Sequence, residues 1–152
     1  MCPGLSLVTI LLLLAAGFAG AADRSTAGVK SAVEQVLHAQ QDAWNRQDLE
    51  AFMAGYWNSP DLTFFSGAHE TSGWQSALER YRKAYQGEGK QMGKLAFLDL
   101  RIEPIGTDAA LVRGAWRVTM ADGKTPHGLF TLLFRKFPDG WKIIHDHTSA
   151  AD

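Results

Sequence analysis

Apolar positions fall into distinct regimes along the chain. Leu5 to Phe18 is almost continuously apolar and leads through Ala19-Gly20-Ala21-Ala22 to the first charged residue, Asp23. From Val29 onward the spacing becomes helical: Val29, Val33, Val36, Leu37 and Trp44 form a stripe with Gln40 as its one polar interruption. That spacing predicts an amphipathic helix, with Ser25 or Thr26 placed to cap its orphan backbone N–H groups. Asn45-Arg46-Gln47-Asp48 breaks the stripe, and Asp48 is suited to cap a short second helix over Leu49–Tyr56. Pro60 ends that segment, Leu62–Phe65 reads as a short strand and Ser66-Gly67 as a turn. Ser72 then caps a third helix, in which Trp74, Ala77, Leu78, Tyr81 and Tyr85 share one face.

After the Gly-rich loop Gly87–Gly93 the period changes from helical to alternating. Four long strands are predicted, Leu95–Glu103, Ala109–Met120, Leu129–Phe137 and Trp141–Thr148. Gly106-Thr107-Asp108 and Pro138-Asp139-Gly140 are tight enough for hairpins, and Ala121–His127 makes a longer joint. Helices first and an antiparallel meander last argue an α+β domain with helices on one face of the sheet. Both faces of the late strands are partly apolar. Ala110, Val112, Trp116 and Val118 oppose Leu111 and Ala115, and Phe130, Leu132 and Phe134 oppose Leu129 and Leu133. A sheet with helices on one side should turn polar residues to water on the other, so the excess predicts packing on a second copy, a homodimer.

The first 22 residues are set apart by composition. An apolar run followed by small residues is the pattern of a secretory signal peptide, although no Lys or Arg precedes it. The run is shorter than the roughly 20 residues a spanning helix needs and is broken by Thr9 and Gly17. Residues 1–22 are therefore assigned to a cleaved leader and 23–152 to one mature domain, periplasmic or secreted and free of the membrane. The only cysteine, Cys2, leaves with the leader, which removes disulfides, thiolate nucleophiles and cysteine metal sites. A net charge of −1 without a basic patch argues against nucleic acid as a partner.

Candidate chemistry gathers at the end of the chain, in Trp141–Ser149, WKIIHDHTS. Strand alternation puts His145 and His147 on one face with Trp141 and Ile143, and Asp146 on the other with Ile144 and Thr148. A His-x-His pair could bind zinc, but His38, His69 and His127 stand at no telling spacing for a third ligand, and no metal is expected. Arg113 and Arg117 share one face of a strand; an inward guanidinium there would bind a carboxylate, an outward one would sit in a surface ion pair. There is no G-x-S-x-G elbow and no glycine loop in the strand-to-helix context of a phosphate site, so no cofactor is expected.

The WKIIHDHTS ending, taken with the early helix AWNRQDLEAFMAGYW (Ala43–Trp57), resembles the nuclear transport factor 2-like superfamily. The resemblance is to its SnoaL-like, DUF4440-type branch, which also contains the association domain of calmodulin-dependent kinases. It covers about Val29 to Ser149 and implies a cone-shaped fold, three N-terminal helices packed on a curved, mostly antiparallel sheet, with a cavity at the open end. It also implies that Asp146 points into the cone, either paired with Arg113 or Arg117 as a structural bridge or acting as a pocket acid. Aromatic rings with polar tips suit such a pocket, and Tyr56, Trp57, Trp74 and Trp116, with Arg113 and Thr148, are the expected lining. The fold hosts many functions. One reading is a binding module that encloses a small apolar or amphipathic ligand; another is an isomerase, dehydratase or cyclase with Asp146 as general base and Tyr56 as donor. The residues do not match position by position the patterns of the steroid isomerases or the dehydratases. A third reading, an assembly domain, lacks a partner domain to gather.

Overall fold

Alternating buried and exposed positions from residue 94 onward build four strands of a six-stranded sheet, and the helical stripes of the first half cover its inner face. The computed structural model describes residues 13–151, with side chains from Ser25. Residues 1–12 of the expected leader lie outside the described residues, and of 13–22 only the helical backbone is described. The order is α1 (Leu13–Asn45), α2 (Leu49–Met53), β1 (Thr63–Ser66), β2 (His69–Ser72), α3 (Trp74–Tyr85), β3 (Lys94–Ile105), β4 (Ala109–Thr119), β5 (His127–Phe137) and β6 (Gly140–Thr148). Across the sheet the strands run β2-β1-β6-β5-β4-β3.

One expectation changes: the helices are not all N-terminal, because the β1–β2 hairpin stands between α2 and α3. The sheet is mostly antiparallel as expected, and mixed only in that β1 runs parallel to β6. The strand and turn expected at Leu62–Gly67 are present, but the second strand escapes prediction because His69-Glu70-Thr71-Ser72 carries no apolar alternation, and its side chains are mostly exposed. Helix α1 runs unbroken past Ser25 and Thr26, so neither caps its start. Asp48 does cap α2, its Oδ1 accepting from the Ala51 N–H at 3.0 Å, whereas the residue before α3 is Gly73 at φ 89°, not Ser72.

Val33, Leu37 and Trp44 of α1 are buried, each contributing about 1.5–3 kcal/mol relative to exposure. They meet Phe52 and Met53 of α2, Ala77 and Leu78 of α3, and the inward rows of the sheet in one core. Strand register defines those rows. Val112, Leu132, Asp146 and Phe64 lie side by side across β4, β5, β6 and β1, and Gly114, Phe130, Thr148 and Ser66 form the next row. The rows between them, Leu111–Leu133–His145–Thr63 and Arg113–Thr131–His147–Phe65, face the other way.

A bulge decides which residues share the inner face. On β5 the register steps from Leu133 to Phe134, while on β6 it steps from His145 to Ile143, leaving Ile144 as the extra residue. One extra residue reverses the alternation. Trp141 and Ile143 are therefore buried on the same side as Asp146, not with the histidines as strict alternation predicted. A second irregularity, between Leu98 and Arg101 on β3, has Asp99 at φ 53°.

Candidate functional site

The inner face of the sheet and the helices leave a partly open cavity of about 240 Å³, lined mainly by apolar side chains. Its floor is the row carrying Asp146, 3% exposed and one of only two buried polar residues among those described. Both carboxylate oxygens accept a hydrogen bond: Oδ2 from the Tyr56 hydroxyl at 2.7 Å and Oδ1 from the Thr148 hydroxyl at 2.6 Å. Burial pushes the carboxyl pKa up to about 6 against the opposing pull of those two donors and of the charges of His147 and Arg80. Desolvation disfavours the charged form and wins here. Tyr56 is pushed well above the ordinary tyrosine value, first by burial and then by the Asp146 charge, and Tyr81 is raised for the same two reasons.

Local sequence explains how Tyr56 reaches the acid. The segment after α2 bridges to β6, with Trp57 N–H donating to the Ile143 carbonyl and Ile143 N–H to the Gly55 carbonyl, both at 2.9 Å. Gly55 is needed there, since a Cβ would stand 2.6 Å from Cδ of Gln40. Gln40, the polar interruption of the α1 stripe, is 2% exposed, donates to the Phe52 carbonyl at 3.1 Å and lines the cavity. At the other end Trp116 donates from Nε1 to the Ser149 carbonyl at 3.0 Å. Gly128 permits that approach, because a Cβ on it would overlap the Ser149 backbone and crowd the indole.

Of the lining predicted from sequence, Tyr56, Trp116, Asp146 and Thr148 border this cavity, and Trp57, Trp74 and Arg113 do not. Trp57 stacks on Phe137 at 5.5 Å in a shallow groove behind Tyr56. Trp74 borders the same groove and is held by its Nε1–H donation to the Met53 carbonyl at 2.9 Å. Arg113 is on the outer face in an exposed pair with Glu103 at 2.8 Å, so no arginine of β4 bridges Asp146. His145 and His147 also lie outward, packed edge-on against Phe65, with His145 Nδ1 2.7 Å from Thr63 Oγ1. Burial and the His147 charge lower the His145 pKa. Among the described residues no three metal-ligating side chains come together.

Sequence reasoning missed Arg80, Tyr81, Tyr85 and Ser66 as lining residues. The two tyrosines share the apolar face of α3 and read as core, while Arg80 sits one residue before Tyr81 and reads as a solvated helix charge. Its guanidinium instead lies 5.2 Å from the Phe64 ring centroid, and its Nη1 donates to Thr71 Oγ1 at 3.0 Å.

Comparison with known proteins agrees on the fold. Residues 33–152 match the family model described as SnoaL-like domain. A nuclear transport factor 2-like protein of unknown function from Shewanella oneidensis MR-1 is 37% identical, with 79% of this chain and 98% of that one covered at a TM-score of 0.74. A second such protein of unknown function, from Pseudomonas putida KT2440, is 20% identical over 83% of this chain and 89% of that one, TM-score 0.69. A ketosteroid isomerase-like protein from Erwinia carotovora atroseptica SCRI1043 is 23% identical over 80% and 95%, TM-score 0.62. At the last two identities the likeness concerns the fold alone. No curated protein matches the sequence.

Proposed function

The chain belongs to the SnoaL-like domain family of the nuclear transport factor 2-like superfamily, and we propose that it is a secreted or periplasmic homodimer whose cavity encloses a small apolar or amphipathic molecule. One observation carries this reading: a buried carboxylate with a hydroxyl donor on each oxygen, at the floor of an otherwise apolar cavity of about 240 Å³. An apolar cavity of about 150 Å³ already admits benzene, so this one suits a ring with a short substituent. Burying an acid costs free energy, and a ligand hydroxyl or N–H meeting Asp146 would offset part of that cost. The leader supports export, and the half-exposed apolar residues of the outer face support the dimer.

A second reading is favoured by a specific feature. A carboxyl whose pKa is about 6, beside a phenol that can donate to a developing enolate, suits proton transfer next to a carbonyl. In that reading Asp146 removes the proton and Tyr56 or Tyr81 steadies the resulting oxyanion, an isomerase, dehydratase or cyclase chemistry. The likeness to a ketosteroid isomerase-like protein is compatible with it and adds only the fold.

Native mass spectrometry of protein purified from the exported fraction tests the first reading. It should give a chain mass starting near Ala22 or Asp23, twice that mass for the assembly, and a small molecule released on activation. A bare protein that also fails to bind apolar probes by tryptophan fluorescence would refute the cavity's role. Deuterium exchange of a bound carbon acid in D2O separates the two readings. Exchange catalysed by the wild type and lost by a factor of about 10² or more in Asp146→Asn means turnover, whereas binding without exchange means a binding module.

A further inference from the structure

The cavity has an acid at its floor, and its wall also carries a cation with no acidic partner. Arg80 is half-buried on α3 and lines the cavity. Of the five N–H donors of a guanidinium, one is used on Thr71, and the others find no acceptor among the described residues. The acids closest along α3 and α2 are engaged elsewhere, Glu79 by Gln75 and Glu50 by Arg82. No carboxylate lies within ion-pair distance of Arg80 among the described residues.

The position is fixed from two sides. Thr71 of β2 holds Nη1, and the guanidinium carbon lies over the Phe64 ring, an arrangement that also gains from the ring's negative face. Phe64 is the direct register neighbour of Asp146. The Phe64 ring thus has the cation of α3 over it and the acid beside it on the inner row of the sheet. The charge of Arg80 is felt by Asp146, Tyr81 and Tyr85 of the cavity wall, where it pulls against the upward push of burial. Ser66, next but one to Phe64 on β1, adds a hydroxyl to the lining.

Building on the reading of this cavity as a ligand site, we propose that Arg80 is its anion-recognition residue and that the ligand class is a small aromatic or alicyclic monocarboxylate. The carboxylate docks on the free edge of the guanidinium, the ring fills the space among Phe97, Trp116 and Phe130, and a hydroxyl or similar donor at the far end reaches the Asp146–Tyr56 pair. Paired N–H groups of Arg match the two oxygens of a carboxylate in one plane. The Thr71 bond and the cation–π contact with Phe64 hold the guanidinium before the ligand arrives, which reduces the ordering cost of binding. A plain structural brace for the β1–β2 hairpin would need only the Thr71 bond and would not place its charge in the cavity.

The test uses two matched pairs of probes, trans-cinnamate with cinnamamide and cyclohexanecarboxylate with cyclohexanecarboxamide, titrated calorimetrically into wild-type protein, Arg80→Gln and Arg80→Lys. At least one acid should bind the wild type about tenfold or more tightly than its amide. Arg80→Gln should erase that preference while leaving amide affinity unchanged, and Arg80→Lys should restore part of it. Circular dichroism and unfolding midpoints confirm that the variants fold. Amides that bind as well as acids to the wild type overturn the role of Arg80 and leave the cavity reading standing. Equal loss of acid and amide in Arg80→Gln assigns Arg80 to bracing the hairpin and also overturns it. If none of the four probes binds the wild type, both this proposal and the cavity reading fail.

Discussion

At the scale of single residues, Asp146 sets the tension in this molecule. A carboxyl raised from 3.8 to about 6 in the folded protein keeps its proton in the native state over a range where the unfolded chain has released it. The native state therefore binds more protons between about pH 4 and pH 6, so stability falls as pH rises through that window and levels off above it. A shift of about two units corresponds to about 3 kcal/mol, an upper figure for what ionised Asp146 costs the fold at neutral pH. Asp146→Asn removes the titration and retains one acceptor oxygen for Tyr56 or Thr148. Denaturant midpoints measured from pH 4 to pH 8 should show the wild type losing stability relative to the variant by up to that amount. A variant that is less stable by the same margin at every pH would mean that the carboxylate is a fixed structural acceptor. Asp146, Thr148, Tyr56 and Trp116 were legible as lining because the resemblance implied a cone with Asp146 inside it, and rings with polar tips suit such a pocket. Arg113 was misplaced because two-sided apolar strands do not say which face is inner. Arg80 was illegible because its contacts with Phe64 and with Thr71, the latter on the strand the sequence conceals, turn it from solvent to cavity.

At the scale of elements, periodicity located α2, α3 and the four long strands to within a few residues, since each has a buried stripe or alternation of its own. What it could not locate was a change of phase inside a strand. The extra Ile144 in β6 shows in the sequence only as the Ile143-Ile144 doublet, and it is set by pairing to two different neighbours. Below the bulge β6 bridges to Tyr56, and above it pairs in parallel with β1. The segment that turns Asp146 inward thus depends on long-range contacts rather than on local preference. The same holds at the far end of β6, where the chain crosses Gly128. Any side chain there meets the Ser149 backbone at overlap distance. Gly128→Ala should push Ser149 away and break the Trp116–Ser149 hydrogen bond, a destabilisation of about 1–3 kcal/mol for an overpacked site. Ligand affinity should fall with it, read by thermal unfolding and by probe titration together. An unchanged midpoint and unchanged affinity would mean that the Trp116 wall does not depend on this crossing.

At the scale of the whole molecule, alternation together with the β6 bulge gives the sheet two different faces. Inner rows carry the acid, its donors and the cavity, while outer rows carry Leu111, Leu133 and Leu129 between polar groups. Leu129, 65% exposed, and Ile105, 51% exposed, are the large hydrophobics most open to water. Leu129 pairs across the sheet with Ala115, so small and large apolar side chains lie together on this face. A second copy seated there would bury them without touching the inner rows that line the cavity. Leu129→Asp is a clean probe, since an exposed leucine can be replaced without emptying the core. The substitution should weaken association by about 2–5 kcal/mol, the cost of an unpaired charge in an interface. Sedimentation at micromolar concentration should then show a wild-type dimer and a variant monomer, with Asp146-dependent properties and probe binding retained in both. A wild type that sediments as a monomer would remove the dimer. A monomeric variant that also loses its ligand would mean that the two faces are coupled, and that the partner copy completes the cavity from behind the sheet.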